Sequence, residues 1–517
     1  MGNITVSLNI MTPKQLLDFT TQLITPEELA PKSINEVIEL PTFLNKLEAC
    51  ETQLRQPFSD TDHYIQNALV FRRLQQLINI LLLNPVWKER INQAGLVTAP
   101  TDFEQWQQLP ISDKAAINDM FSGDRPGMVV PIQHGGFEIV ASGGTSSGKP
   151  SETVYSIKEL HDTYKLAGRY MGRYMLPTYL DGLEPKWVYT TLADYQMWSS
   201  GTMVGGVLQN IPGINYIGAG PVMKDVFHQM MSYPGPKAIM GITQGIAILA
   251  DLGFDMPAES RNSLRVAMYG SGVLSQLKQS ELKGVYPNLT ILSYFAATQA
   301  ETIGLQLKPE GYLTAVPGLH LIEIVDEQGR WVDEGEEGEL VVTRLHANEA
   351  PVLRFKLGDR MIRRPNIDGP GLKTHQFEYA GRSGDVIHLC DTQYTAKQAY
   401  TSLCLELKKS GVFDLDALVH EIQFINDRTS SLLTLMASVD NVGDMTLRME
   451  QVLGPDGIHQ LFAQAIANSL SIFNQGEANT QALEKYDYRF QIKLVPRFSP
   501  EIFRSELGKV PLLRDIF

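Results

Sequence analysis

The sequence predicts an α/β protein: a large multi-layer N-terminal domain with mostly parallel sheets and a β-rich closing subdomain, followed by a small α+β domain. Three patterns point there. Short β-rich runs alternate with helical ones from about residue 136 to 295, strands follow one another over 320–363, and a third texture begins after Gly381–Asp385. Alternation with short links marks parallel strands covered by helices. At about 150 residues per domain, 517 residues make two to four domains.

Residues 1–105 read as helical. In QNALVFRRLQQLINILLL apolar residues recur every three or four positions, and capping-type breaks such as ITPEE and QLPISDKAAI interrupt the run. The alternation then runs FEIVAS, SIKELHDTYKLAGRYMGRYM, KWVYTTLA, DVFHQMMSY, KAIMGI, GIAILADL, SLRVAMYG, SQLKQSELKGVY and NLTILSYF. Over 320–363, HLIEIVDEQGRWV, GELVVTRL and PVLRFKLGD read as antiparallel strands joined by the turns EQGR and DEGEEG. Beyond GRSGD come a helix around 396–409, the strands HEIQFIND and SSLLTLMASV, a helix near 443–473 and the strand YRFQIKLVP. The expected division is 1–105 for a helical region packed on the large domain, 106–383 for the core of that domain and 384–517 for the C-terminal domain.

Composition excludes several classes. Hydrophobic residues at 43% and charged residues at 20% rule out a disordered, collagenous or coiled-coil chain. With 44 basic and 58 acidic residues the net charge is −14, which argues against a nucleic-acid partner but leaves room for a local cationic pocket. Cys50, Cys390 and Cys404 are too few for a disulfide framework and match no zinc-pair spacing, so a reducing, cytoplasmic setting is expected. The longest apolar stretch, near 75–87, is broken by Gln, Asn and Pro, so no membrane span is expected. MGNITVSLN has neither a basic nor an apolar leader region, and Val6 stands where a myristoylation motif needs Ser or Thr.

The sharpest local signal is Ser142-Gly143-Gly144-Thr145-Ser146-Ser147-Gly148-Lys149-Pro150, between two β-type runs. Small residues let backbone N–H groups converge on an anion, hydroxyls add donors and Lys149 adds charge, which together make a polyphosphate grip. Gly143 to Lys149 also satisfies G-x-x-x-x-G-K. Pro150, however, stands where a P-loop needs a magnesium-binding hydroxyl, and no helix follows, which excludes a P-loop. Elsewhere, Asp359 beside Gly358 offers an acceptor pair for a ribose diol. Arg382 offers a planar fork for ribose or phosphate oxygens. Lys509 follows Gly508 on an arm able to bring an ammonium to developing negative charge. His134, before Gly135-Gly136, reads as a surface histidine.

The Gly/Ser string, in this setting, resembles the signature loop of the adenylate-forming superfamily (acyl-CoA synthetases, adenylation domains, luciferases). Further matches follow in the family's order over about 105–517. LPISDKAAI (109–117) resembles the lead-in of the phenylacetate–CoA ligase-like branch. Gly270-Ser271-Gly272 stands where the family frames adenine, and Phe295-Ala296-Ala297-Thr298-Gln299 falls at its Tyr-Gly-x-Thr-Glu motif. GEEGELVVTRLHANEAPVLRFKLGDR (335–360) is similar to that branch's pattern, with Asp359 at the ribose-binding aspartate. Gly381–Asp385 matches the hinge motif, and Arg504–Lys509 resembles the C-terminal motif that carries the catalytic lysine.

The resemblance implies that Ser142–Lys149, Gly270, Ser271, Gly272, Phe295, Ala296, Thr298, Asp359 and Arg382 bind ATP or AMP. It implies that Lys509 is catalytic and rides on a mobile C-terminal domain hinged at Gly384, and that Trp198 lies by the acyl pocket. Asp194, just upstream, reads either as a partner for a substrate amino group or as a locally hydrogen-bonded carboxylate. Departures from the family pattern are also visible. The loop is one residue longer than Ser-Gly-Thr-Thr-Gly-Lys-Pro, Gln299 replaces the glutamate that helps hold magnesium, and Glu301 is the nearest substitute. Gly384 stands for the hinge aspartate, Asp391 stands near a glycine of the pantetheine tunnel, and Leu507 is inserted in the lysine motif. The expected activity is that of an AMP-forming carboxylic acid ligase using ATP and Mg2+. It activates a small-molecule acid to an acyl-adenylate with release of pyrophosphate, then transfers it to a thiol, either CoA or a carrier protein. The alternatives are an amine acceptor, or a non-catalytic member that binds nucleotide or adenylate.

Overall fold

The computed structural model describes residues 11–142, 151–389, 392–454, 456–468, 488–504 and 510–516. Hydroxyl side chains start the N-terminal helices. Thr12, Thr25, Ser33 and Thr42 each accept a backbone N–H from the first turn of Pro13–Leu23, Pro26–Leu29, Ile34–Glu39 and Phe43–Leu54. These helices, with His63–Leu81 and Pro85–Gln93, share one apolar cluster with Leu345, Ala350, Val352, Leu353 and Phe355. Buried Arg73 fastens them by donating to Leu345 O at 2.7 Å and Asn348 Oδ1 at 2.6 Å.

Eleven strands form one sheet. Their spatial order is His320–Val325, Glu337–Arg344, Phe355–Ile367, Thr374–Arg382, Leu313–Thr314, Glu301–Gln306, Thr290–Ala297, Leu264–Gly270, Lys237–Ile242, Trp187–Thr190 and Asn215–Gly218. The five strands between 187 and 297 are parallel. The inner ones bury both faces with a period of two. Val188, Ala238, Met240, Val266 and Met268 face helices Ile157–Tyr174 and Ser200–Gln209. Tyr189, Ile239 and Ala267 face the opposite cluster with Phe227, Leu249 and Leu282. The β-rich stretch extends this same sheet: the chain turns back between Ala297 and Glu301 and continues antiparallel.

Helix Ser200–Gln209 and the edge strand Asn215–Gly218 were not anticipated. The helix carries three glycines, which weaken any helical signal. Packing demands them: a Cβ on Gly206 would lie 2.3 Å from the Tyr164 ring, and one on Gly205 would lie 2.7 Å from the Tyr216 hydroxyl. Before the sheet, Phe137–Ser142 and Ser151–Ser156 pair antiparallel with Ser142 opposite Ser151. Residues 143–150, between these arms, lie outside the described residues.

The C-terminal part has its own four-stranded sheet, ordered Arg489–Pro496, Leu432–Val439, Glu421–Asp427 and Leu513–Ile516. Helix Ala396–Lys409 and two further helices share its core with Ile387, Leu403, Phe424, Leu435 and Phe462. The single helix expected near 443–473 is Val442–Leu453 and Gly457–Asn468, separated at Gly454, whose φ is +73°. The hairpin Val386–Leu389 with Thr392–Thr395 and the last strand are four residues each, too short to show a period in the sequence. Among the described residues no apolar cluster spans both parts of the chain. Polar contacts cross instead, among them Arg497 Nη2 to Asp251 Oδ2 at 2.7 Å and Lys397 Nζ donating to Tyr379 O. No helix of the described residues is long and apolar enough to cross a membrane. Cys50 is buried and Cys404 half-buried, while Cys390 lies outside the described residues.

Candidate active site

Parallel strands bring their carboxyl ends to one side of a sheet, and ligands collect there. Ile242 and Gly270 are register partners at this edge, and Tyr294 follows Ser293, the partner of Tyr269. Gly270 has no room for a side chain, since a Cβ would sit 2.7 Å from the Tyr294 ring. Thr243 Oγ1 donates to Gly270 O at 3.0 Å, and Ser271 (φ +64°) and Gly272 (φ +149°) then turn outward, both exposed.

Phe295 lies near the end of the neighbouring strand Thr290–Ala297, with its ring centroid 5.7 Å from that of Tyr379. Tyr379 lies three strands along on Thr374–Arg382, the strand that ends in Arg382. Arg382 is the register partner of Asp359, and its Nε lies 3.7 Å from Asp359 Oδ1. Gly358 (φ +84°) and Gly381 (φ +140°) flank the pair with backbone that disfavours side chains. Ser383 N donates to Gly358 O at 2.9 Å and Ser383 Oγ to Glu339 Oε2 at 2.6 Å, which holds the turn carrying exposed Gly384. Burial pushes Asp359 up to about 6, with Asp385 and Glu339 adding to the rise and Arg382 and Lys114 opposing it.

Lys114 belongs to the lead-in segment and was not singled out as a site residue. Asp113 caps its helix, and Ser112 pairs with Phe355 on the strand that carries Asp359. Buried Arg354 locks the segment by donating to Gln107 O at 2.7 Å and Leu109 O at 2.6 Å while pairing with Glu323 at 3.1 Å. The aromatic shelf Phe295/Tyr379 and the Asp359/Arg382/Lys114 group therefore form one continuous edge. It suits a planar base beside a diol and an anion.

The turn after Phe295 holds exposed Ala296 and half-buried Thr298, whose carbonyl accepts from Tyr155 Oη at 2.7 Å. Gln299 is buried and its Nε2 has no hydrogen-bond partner. Glu301, with φ +51°, is buried too. Its Oε2 accepts from Thr163 Oγ1, and its Oε1 has no hydrogen-bond partner. Burial pushes Glu301 up to about 7, against the pull of Thr163 and Arg344. A side-chain amide can be turned over to exchange its nitrogen and oxygen. An unpaired carboxylate oxygen and an amide two residues away fit a hard divalent cation that keeps most of its other ligands as water and phosphate.

Asp194 accepts from Thr202 N at 2.9 Å and Oγ1 at 2.5 Å, so it caps helix Ser200–Gln209. Trp198 closes a tight turn with Tyr195 through two hydrogen bonds, with Gln196 and Met197 at positive φ. Met197 O accepts from Ala141 N at 2.8 Å, which fastens this turn to the hairpin. Ser142 Oγ, at the end of that arm, has no hydrogen-bond partner. His134 is exposed. Gly143 to Lys149, Asp391 and Lys509 lie outside the described residues. Glu281, His420 and Asp440 also bring ligand atoms close together, but Glu281 pairs with Lys278 at 2.5 Å and His420 with Asp440 at 2.7 Å, so these groups satisfy one another.

No protein-family description matches the chain, and no curated protein sequence does. Solved structures do. A 2-hydroxyisobutyryl-CoA ligase, in its postadenylation state with 2-HIB-AMP, is 14% identical with a TM-score of 0.65 over 89% of this chain and 91% of that one. The same ligase with 2-HIB-AMP and CoA in its thioesterification state gives 0.53 at 15% identity over the same shares. The AtGH3.15 acyl acid amido synthetase in complex with 2,4-DB is 14% identical with a TM-score of 0.60 over 92% of this chain and 95% of that one. The chain has the adenylate-forming fold. Nearly the whole length of the chain takes part in the likeness.

Proposed function

We propose that this chain is an AMP-forming carboxylic acid ligase. The observation that carries the reading is the cross-strand pair Asp359–Arg382 beside the Phe295–Tyr379 shelf, at the carboxyl edge of an adenylate-forming fold. The division 1–105, 106–383 and 384–517 is part of the proposal. The shelf and Gly270–Gly272 take adenine, and the ionised carboxylate of Asp359 accepts from the ribose diol. Arg382 bonds ribose or phosphate oxygens, and Ser142–Lys149 hold the phosphates. A carboxylate oxygen of the substrate attacks the α-phosphorus in line, the bond from that phosphorus to the bridging oxygen breaks, and pyrophosphate leaves with the electron pair. Lys509 supplies the ammonium that offsets charge between carboxylate and α-phosphate; one such donor in a dry site contributes on the order of 3–4 kcal/mol. Positioning and charge do the rest. Magnesium, held by Glu301 and Gln299, would neutralise phosphate charge.

The activated acyl group then passes to a thiol, either CoA or a carrier protein. The likeness to an amido synthetase over 92% of this chain favours an amine as the second reading of that step. ATP–pyrophosphate exchange across a panel of aryl, fatty and amino acids tests the first half-reaction. Exchange with at least one acid, lost in Lys509→Ala while ATP still binds, is the expected result. A flat panel with ATP bound would select the non-catalytic alternative.

A further inference from the structure

We propose that Arg344 and Tyr155 are positioning residues that hold the hairpin arm Ser151–Ser156 at a set distance from the turn Thr298–Glu301, and thereby set where the Glu301 carboxylate meets magnesium-bound ATP. The proposal rests on the nucleotide reading above. Arg344 ends strand Glu337–Arg344, and its side chain is 1% exposed. Its Nη2 donates to Val154 O at 3.0 Å and to Ala350 O at 2.7 Å, and its Nε lies 3.0 Å from Glu159 Oε1. Its guanidinium carbon sits 4.1 Å from the centroid of the Tyr155 ring, and the Tyr155 hydroxyl donates to Thr298 O at 2.7 Å. One cation thus meets the arm at its backbone, the sheet at its own strand, and the ring whose hydroxyl pins the turn.

Helix Ile157–Tyr174 closes the arrangement. Glu159 and Thr163 are four residues apart and share a face. Glu159 meets Arg344, while Thr163 donates to Glu301. The same helix face therefore engages both the clamp and the carboxylate beside the phosphates. Packing alone does not call for this chemistry. Burying a guanidinium and two carboxyl groups costs desolvation that apolar side chains of similar volume avoid. What the guanidinium adds is direction, through donors in a rigid fork.

The test uses the full chain with two probes, ATP with magnesium and AMP alone, each titrated calorimetrically into wild type, Tyr155→Phe and Arg344→Lys. Tyr155→Phe removes one oxygen and keeps the ring under Arg344. The expected result is a Tyr155→Phe protein that unfolds at the wild-type temperature and binds ATP about tenfold more weakly, with AMP affinity changed by less than about threefold. Arg344→Lys should shift the same ratio further. Equal weakening of ATP and AMP would mark general loosening and overturn the proposal, as would wild-type ATP affinity in Tyr155→Phe. Failure of Arg344→Lys to fold leaves Tyr155→Phe to decide. Wild type that binds neither nucleotide removes the functional reading itself, and the proposal with it.

Discussion

Asp359 is a carboxyl group caught between two demands. Burial raises it from 3.8 to about 6, so in that interval the folded chain binds more protons than the unfolded one. From this group alone, stability falls as pH rises from 3.8 to about 6, and the cost is fully present above 6. Recognition of a diol runs the other way, because the ionised form accepts best. Affinity for AMP should therefore fall as pH is lowered through about 6, as titration calorimetry from pH 5 to 8 would show. Asp359→Asn reports the nucleotide's own phosphate titration, and the difference between the two curves belongs to Asp359. An identical pair of curves would remove Asp359 from the ribose site. Asp359→Ala should weaken AMP binding roughly 10- to 100-fold, the range for hydrogen bonds to a charged group.

Elements meet where glycine lets backbones approach and where buried ions lock loops. Gly168 on helix Ile157–Tyr174 faces Val207 O and the Asn210 carbonyl, which a Cβ would meet at 2.7 to 2.8 Å. Backbone cannot swing aside as a side chain can, so Gly168→Ala should cost roughly 1–3 kcal/mol in urea unfolding. Unchanged stability would show that the two helices can separate without loss. The Arg354–Glu323 pair, buried at 1% and 0% side-chain exposure, holds the lead-in segment, and Trp106 and Trp331 both donate to Glu323. Removing Glu323 strands the guanidinium, so Glu323→Ala should lose roughly 3–5 kcal/mol by the same measurement.

At the scale of the molecule, two sets of apolar cores meet through polar contacts. Such an interface leaves relative motion as the default. The junction should therefore respond to salt and to the loss of its ion pairs. In Arg497→Ala combined with Lys397→Ala, amide exchange should speed up around 381–396 and in helix Leu249–Gly253, which carries Asp251, with the inner strands Lys237–Ile242 and Leu264–Gly270 unaffected. Raising ionic strength should move wild type in the same direction, since Asp251 and Arg497 are half-exposed. Exchange that stays at the wild-type rate in both cases would mean that the junction is rigid.

The period-two runs of the parallel strands and the threefold-to-fourfold spacing of the long helices were legible from residues alone, because burial of a face repeats at the period of the backbone. Asp359 and Arg382 were singled out by chemistry, as an acceptor pair and a planar fork, whereas Gly270 and Phe295 were reached only through the family resemblance. Short elements left no period to read, and the glycine-rich helix Ser200–Gln209 went unassigned because its glycines serve a neighbour. Lys114 and Arg344 lay inside matched segments without being singled out, and Tyr155 carried no local sign: Tyr155 meets Thr298 143 residues away, and Arg344 meets Val154 across 190. Sequence by itself thus determined which elements form and which side chains have suitable chemistry, since both follow from local periodicity and residue type. Only the tertiary structure decided that the antiparallel strands continue the parallel sheet, that Asp194 caps a helix, and that Tyr155, held under buried Arg344, joins the hairpin to the turn, because long-range contacts are set by how faces pack and leave no trace in neighbouring residues.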